Sequence, residues 1–262
     1  MRKVRPPAVA GLFYPADADQ LQAQVRQYMA EAKPLHVVAP KALIAPHAGY
    51  IYSGPIAATA YAQLRDVRDL ITRVVLLAPA HRMAFSGLAL SSATLFRTPL
   101  GDIEVDQAAL RSIEELPQVH PLDAAFENEH SIEVQLPFLQ QALSSFRIVP
   151  LLVGDATAVQ VQQVLERLWG DEETLVVISS DLSHYLDYQQ ARKMDREATQ
   201  AIEDLEPGRL SYHHACGRVP VSGLLLAARQ HHLKVTTLDL RNSGDTAGSR
   251  DRVVGYGAYA FS

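Results

Sequence analysis

The sequence predicts an α/β sandwich, one mixed and largely parallel β-sheet with helices on both faces. Three observations carry this. Short apolar runs bounded by turn residues alternate with stretches of helical spacing from end to end. No linker with a shift in composition and no low-complexity tract interrupts them, so residues 1–262 read as one domain. Finally, three of the apolar runs each end in a histidine. Ala42 to Ala45 runs through Pro46 into His47, Val74 to Leu77 runs into Ala78-Pro79-Ala80-His81, and Leu175 to Ile178 runs into Ser179-Ser180-Asp181-Leu182-Ser183-His184. Open α/β sheets place ligands at that end of their strands.

Composition narrows the function classes. The chain has 262 residues, 48% hydrophobic and 20% charged, enough for a substantial core. Its formal net charge is -5, with no block of like charge, which argues against a nucleic-acid or anionic-membrane surface. No apolar run approaches the roughly 18 residues of a membrane helix. The start, Met1 to Pro7, is basic but lacks an apolar h-region, so no secretory signal is expected. Cys216 is the only cysteine. An internal disulfide is thereby excluded, which fits a cytoplasmic protein.

The elements follow in order. Residues 4 to 15 are proline-rich but carry Val9, Leu12, Phe13 and Tyr14, so they read as an extended arm packed on the body. Asp17 to Ala32 reads as a helix with Leu21, Val25, Tyr28 and Met29 on one face, ended by Pro34. After the first histidine loop an Ala-rich helix is expected from about Pro55, over Ile56 to Leu64. Arg73 to Leu77 and Gly87 to Ser91 read as strands, and Thr94 to Val105 as a hairpin of the same mixed sheet. Asp106 is a natural N-cap for a helix to Leu116. Pro117 to Asn128 is polar and irregular, a loop over a site. Ser131 to Leu143 reads as a helix with a kink at Pro137. Arg147 to Val153 is a buried strand, and Thr157 to Leu168 an amphipathic helix. Tyr188 to Leu205 and Pro220 to Gln230 are helices flanking the loop that holds Cys216. Lys234 to Leu240 and Val253 to Phe261 alternate as strands around a Gly-rich loop.

Several residues could carry chemistry. His47 and His81, each in a loop after a strand, are either a metal pair or locally bonded loop histidines. Asp181 lies three residues from His184 and orients its imidazole for acid–base work, or else His184 is itself a metal ligand, or Asp181 or Ser183 caps the next helix. Cys216 reads as a small buried hydrophobe or as a thiolate stabilised before a helix. Glu129 and His130 either enter the site or favour the positive end of the helix after them. Gly244 to Gly248 reads as a connecting turn more readily than an anion cradle, since the P-loop lysine is missing. Neither G-x-S-x-G nor H-E-x-x-H occurs, which removes the α/β-hydrolase and zincin readings.

The motifs V-A-G-x-F-Y-P, A-P-H-A-G-Y-x-Y-S-G-x-x-A, L-A-P-A-H, E-H-S-I-E-V-Q-L-P-F-L, I-S-S-D-L-S-H-Y, A-C-G and G-D-T-A-G occur in this order. Together they resemble the Memo family, that of the mediator of cell motility and of AmmeMemoRadiSam system protein B. The resemblance runs from about Arg5 to the C-terminus. That family is related in fold to class III extradiol dioxygenases, where two histidines and a glutamate hold Fe(II) and another histidine acts as acid–base. The resemblance therefore implies metal ligation by His47 and His81, an acid–base role for His184 with Asp181 beside it, and Cys216 in place of the carboxylate ligand. Tyr50, Glu129 and His130 would line the pocket. A thiolate is softer than a carboxylate, which favours copper or zinc and exposes the ligand to oxidation. Iron or copper is the expected cofactor, and a metal-dependent redox protein is expected rather than a ring-cleaving dioxygenase. The alternative is a non-catalytic module that recognises a small molecule or peptide through the same pocket, with Tyr50 and Tyr52 as contact surface. The family's prokaryotic name also implies a radical-SAM protein and an AMMECR1-like protein as partners.

Overall fold

The apolar strand cores are so continuous that the sheet they form must be covered on both faces, and it is. The computed structural model describes residues 2–32 and 39–262. The strands are β1 (Val4–Arg5), β2 (Ala42–Ala45), β3 (Arg73–Pro79), β4 (Leu88–Leu90), β5 (Leu95–Thr98), β6 (Gly101–Glu104), β7 (Val119–Pro121), β8 (Arg147–Val153), β9 (Thr174–Ser179), β10 (His184–Leu186), β11 (Val235–Asn242) and β12 (Val253–Phe261). The helices are α1 (Ala18–Glu31), α2 (Tyr50–Tyr61), α3 (Gln107–Arg111), α4 (Leu136–Ala142), α5 (Ala158–Leu168), α6 (Tyr188–Glu203) and α7 (Arg218–Gln230). The main sheet runs β10-β12-β2-β9-β3-β8-β4-β7, with β11 also paired to β12. Its centre, β2, β9, β3 and β8, is parallel, and β12 and β4 join it antiparallel. Helices α1, α2 and α4 pack together on one side of this sheet and α5, α6 and α7 on the other. This is the α/β sandwich expected from the alternating pattern. The end of the first helix at Pro34 lies outside the described residues.

The three histidine-bearing strands are immediate neighbours. β9 lies between β2 and β3, with Ala45 opposite Ser179 and Leu77 opposite Ile178. Parallel pairing in this register brings all three carboxyl ends to one edge.

Some elements differ from expectation. The hairpin β5–β6 does not join the main sheet but pairs with β1, making a three-stranded sheet with the N-terminal arm. Helix α2 starts at Tyr50, five residues before the expected start. The Tyr50 ring is buried against Phe138, and this packing outweighs the backbone bond that Pro55 removes. Helix α3 is one turn long, capped by Asp106 as expected, and the chain ahead of Pro117 turns instead of continuing. Ser131 to Gln135 is turn and 3-10 helix, so α4 begins at Leu136. Pro137 then falls in the first helical turn, where its missing N–H would have no partner, and it produces no kink. The segment after Pro117, expected to be irregular, contains β7. In the Gly-rich loop the amides of Gly244, Thr246 and Gly248 bond to Asn242 and Ser243, which makes it a connecting turn.

Candidate metal centre

Pro46 ends β2, and the chain turns so that His47 points back under the sheet edge, 2% exposed. His81 follows β3 by two residues and faces outward. Cys216 arrives from the opposite side of the sheet, in the turn before α7. Gly217 makes that approach close: a Cβ there would lie 2.6 Å from Ser180 Cβ, and its amide donates to Ser180 Oγ at 3.0 Å. One donor atom each from His47, His81 and Cys216 lies within 4.8 Å of the others. Cys216 Sγ is 3.3 Å from His47 Nε2. Two imidazoles and a sulfur converging from three separate loops form a donor set for a transition-metal ion.

The far side of each imidazole is tied to the segment 129–135. Glu129, 2% exposed, accepts from His81 Nδ1 at 3.0 Å and from the His81 backbone amide at 2.5 Å. A carboxylate only accepts, so His81 carries its proton on Nδ1 and keeps Nε2 as its lone-pair nitrogen. His47 Nδ1 meets Ser179 Oγ at 2.8 Å. That hydroxyl donates its one proton to the Ser131 carbonyl (2.6 Å) and accepts from Gln135 Nε2 (2.8 Å), so it also accepts from His47 Nδ1. Both histidines thus hold the tautomer that presents Nε2, the arrangement of metal-ligating imidazoles.

Electrostatics agree with this division. Burial holds the His47 pKa well below the ordinary histidine value, helped by neighbouring His81 and His130, so its ring is neutral. Burial opposes ionisation of Glu129, but His81 and the backbone amides outweigh it and hold the carboxyl well below its usual range. Burial pushes the Cys216 thiol up to about 12, with the Asp181 charge adding to it, and a bound cation would reverse that preference. A second group, His81, Glu129 and His130, is equally close. There, however, Glu129 Oε1 already accepts from His81 Nδ1 and from the amides of His130 and Ser131, so this cluster is a hydrogen-bonded support.

The remaining expected residues separate. Asp181 does not orient His184. It accepts the His47 amide at 2.7 Å and so caps the first histidine loop; burial raises its pKa to about 7 against that bond. Neither Asp181 nor Ser183 caps α6, which takes Asp187. His184 has its pKa lowered by desolvation. It lines a cavity of about 350 Å³ together with His81, Cys216, Tyr185, Met194 and Tyr212. His130 stacks on His81 with ring centroids 4.8 Å apart, and burial lowers its pKa to about 4. Tyr50 does not line the cavity: it is 2% exposed and its hydroxyl donates to the Val134 carbonyl at 2.7 Å. Sequence reasoning missed Ser179, Ser131 and Gln135. Three uncharged polar residues, fully buried at the end of a strand and start of a helix, carry no local signature.

The chain resembles known proteins over nearly its whole length. The Memo-like protein family model matches residues 5–260. A MEMO1 family protein of Aquifex aeolicus is 37% identical, with 97% of each chain covered, and one of Methanocaldococcus jannaschii is 36% identical, with 98% of each covered. An uncharacterized protein from Escherichia coli K12, known from its crystal structure, superposes with a TM-score of 0.54 at 15% identity. It covers 82% of this chain and 98% of its own, a likeness of fold alone. No helix among the described residues is long and apolar enough to cross a membrane. Matches that run nearly from end to end of both chains, at more than a third identity, mean that this chain belongs to the Memo family.

Proposed function

We propose that the protein binds a redox-active transition-metal ion, iron or copper, through His47, His81 and Cys216. The observation that carries this is the pair of fixed tautomers. Ser179 and Glu129 each take an Nδ1 proton, so both Nε2 lone pairs are left for an ion beside the sulfur. Two imidazoles with one thiolate suit a borderline-to-soft ion. When bound, the ion supplies one-electron chemistry and open coordination positions. The chain's own residues bind and orient. Asp181 holds the His47 loop by the His47 amide, and Gly217 brings Cys216 against Ser180. His184 stands at the cavity wall, where its imidazole can hold or pass a proton.

The test is elemental analysis and absorption spectroscopy on anaerobically prepared protein, wild type and the variants His47→Ala, His81→Ala and Cys216→Ala. The expected result is stoichiometric iron or copper with a thiolate charge-transfer band that Cys216→Ala abolishes. Unaltered binding in His47→Ala would sink the proposal. Tyr185 and Tyr212, 64% and 77% exposed at the cavity, favour a second reading, a binding module without catalysis. Full function of a His81→Ala, Cys216→Ala double variant would select it.

A further inference from the structure

The metal centre leaves one buried charge pair without a role. Glu133 is fully buried, and its partners come from the N-terminal arm. Its carboxylate pairs with the Arg5 guanidinium and accepts from the amides of Ala8 (2.7 Å) and Val9 (3.0 Å) and from the Tyr14 hydroxyl (2.5 Å). Arg5 also donates to the carbonyls of Glu129 (2.6 Å) and Phe126 (3.0 Å). The Phe13 ring packs on His130 at 4.7 Å, and its carbonyl accepts the Tyr50 amide at 2.7 Å. A buried ion pair is a poor source of net stability compared with apolar packing, so its placement asks for another reason.

That reason lies four residues upstream. Glu129 and Ser131 grip the two metal histidines from behind, Glu129 directly and Ser131 through Ser179. The segment that carries them has no regular secondary structure of its own until the 3-10 turn at Glu133–Gln135. Its position is set at one end by the arm, through Arg5 on Phe126 and Glu129 and through the arm's bonds to Glu133.

We infer that residues 4–14 form a latch for the metal centre, with Arg5, Tyr14 and Glu133 as positioning residues that hold Glu129 and Ser131 in register with His81 and His47. The effect on metal affinity rests on the proposed metal function; the effect on the local geometry does not. Loosening the latch leaves every ligand in the chain but lets Glu129 drift from His81, so that the imidazole is no longer held in one tautomer and orientation.

The experiment uses full-length protein carrying Tyr14→Phe or Glu133→Gln, with Val164→Ala as reference. Val164 is fully buried in α5, on the opposite face of the sheet. Two quantities are read: hydrogen exchange of the amides of His81, His130 and Ser131 in metal-free protein, and the affinity for Co(II) by its thiolate charge-transfer band. Both latch variants are expected to speed exchange at these amides by about 10-fold or more and to weaken Co(II) binding about 10- to 100-fold, whereas Val164→Ala does neither. Unchanged exchange in Tyr14→Phe and Glu133→Gln overturns the latch, as does an equal change in Val164→Ala. Faster exchange with undiminished Co(II) affinity also overturns it as a positioning device. Failure of wild-type protein to bind Co(II), with the exchange difference intact, overturns the metal function and supports the latch.

Discussion

Glu129 is 2% exposed and ionised, with an imidazole and three backbone amides on its two oxygens. Its chemistry is that of an orienting carboxylate rather than a ligand. Glu129→Gln can still accept at one oxygen but presents an amide to the other donors, so metal affinity should fall about 10- to 100-fold, as read by metal titration. Asp195 makes a different point. It is buried on α6, accepts the Ser183 amide at 3.0 Å, and burial raises its pKa from 3.8 to about 6. The folded chain therefore holds this proton more tightly than the unfolded chain. Its contribution is most favourable below pH 4 and is lost as pH rises through 6, a swing worth about 3 kcal/mol. Asp195→Asn cannot titrate. Denaturation from pH 4 to pH 7 should show the stability of the variant rising relative to wild type by up to that amount, and a constant difference would refute it.

Elements are closed by backbone geometry that composition does not announce. Helix α7 ends with His232 in the left-handed region at φ 56°, exposed, while the Leu233 amide returns to the Ala228 carbonyl at 2.9 Å. A side chain pays for that conformation, so His232→Gly should raise stability by about 0.5–1 kcal/mol in thermal or chemical unfolding. The start of the same helix has the opposite requirement. Gly217→Ala would push a Cβ to 2.6 Å from Ser180. The expected outcome is a loss of about 1–3 kcal/mol and a weakened thiolate band, because the turn that carries Cys216 must move away from the sheet. The expected kink at Pro137 fails for a related reason. Glu133–Gln135 form a 3-10 turn, and the helix starts only after it, with Pro137 in its first turn.

At the scale of the molecule, the parallel centre β2-β9-β3-β8 is largely apolar, and its buried apolar residues belong to one continuous hydrophobic cluster. Leu76, fully buried in β3, touches that cluster from the middle of the sheet. Leu76→Ala should cost about 2–5 kcal/mol with an unchanged denaturant slope, measured by chemical unfolding. A much smaller loss would mean that the two helical layers close over the cavity. The three-stranded sheet of β1, β5 and β6 ties the arm to the body at a second place, so the latch over Glu133 is anchored from both ends.

The fold class was legible because period and punctuation are local properties. Runs such as Val74 to Leu77, ended by proline, and stripes such as Val161, Val164, Leu165 and Leu168 each report a strand or a helix without reference to the rest of the chain. The histidines at the strand ends were legible for the same reason. What those positions do together was not. Parallel pairing is long-range, so only the fold puts β9 between β2 and β3 and seats Cys216 at 3.3 Å from a histidine 169 residues earlier. The fold likewise moves Asp181 from His184 to the His47 loop, retires Tyr50 into the core, and recruits Ser131, Gln135 and Ser179 as supports. Local sequence determines which elements form and what chemistry their ends carry; the tertiary structure decides which hydrogen-bonding groups meet, because a buried polar group takes its partner from wherever packing brings one.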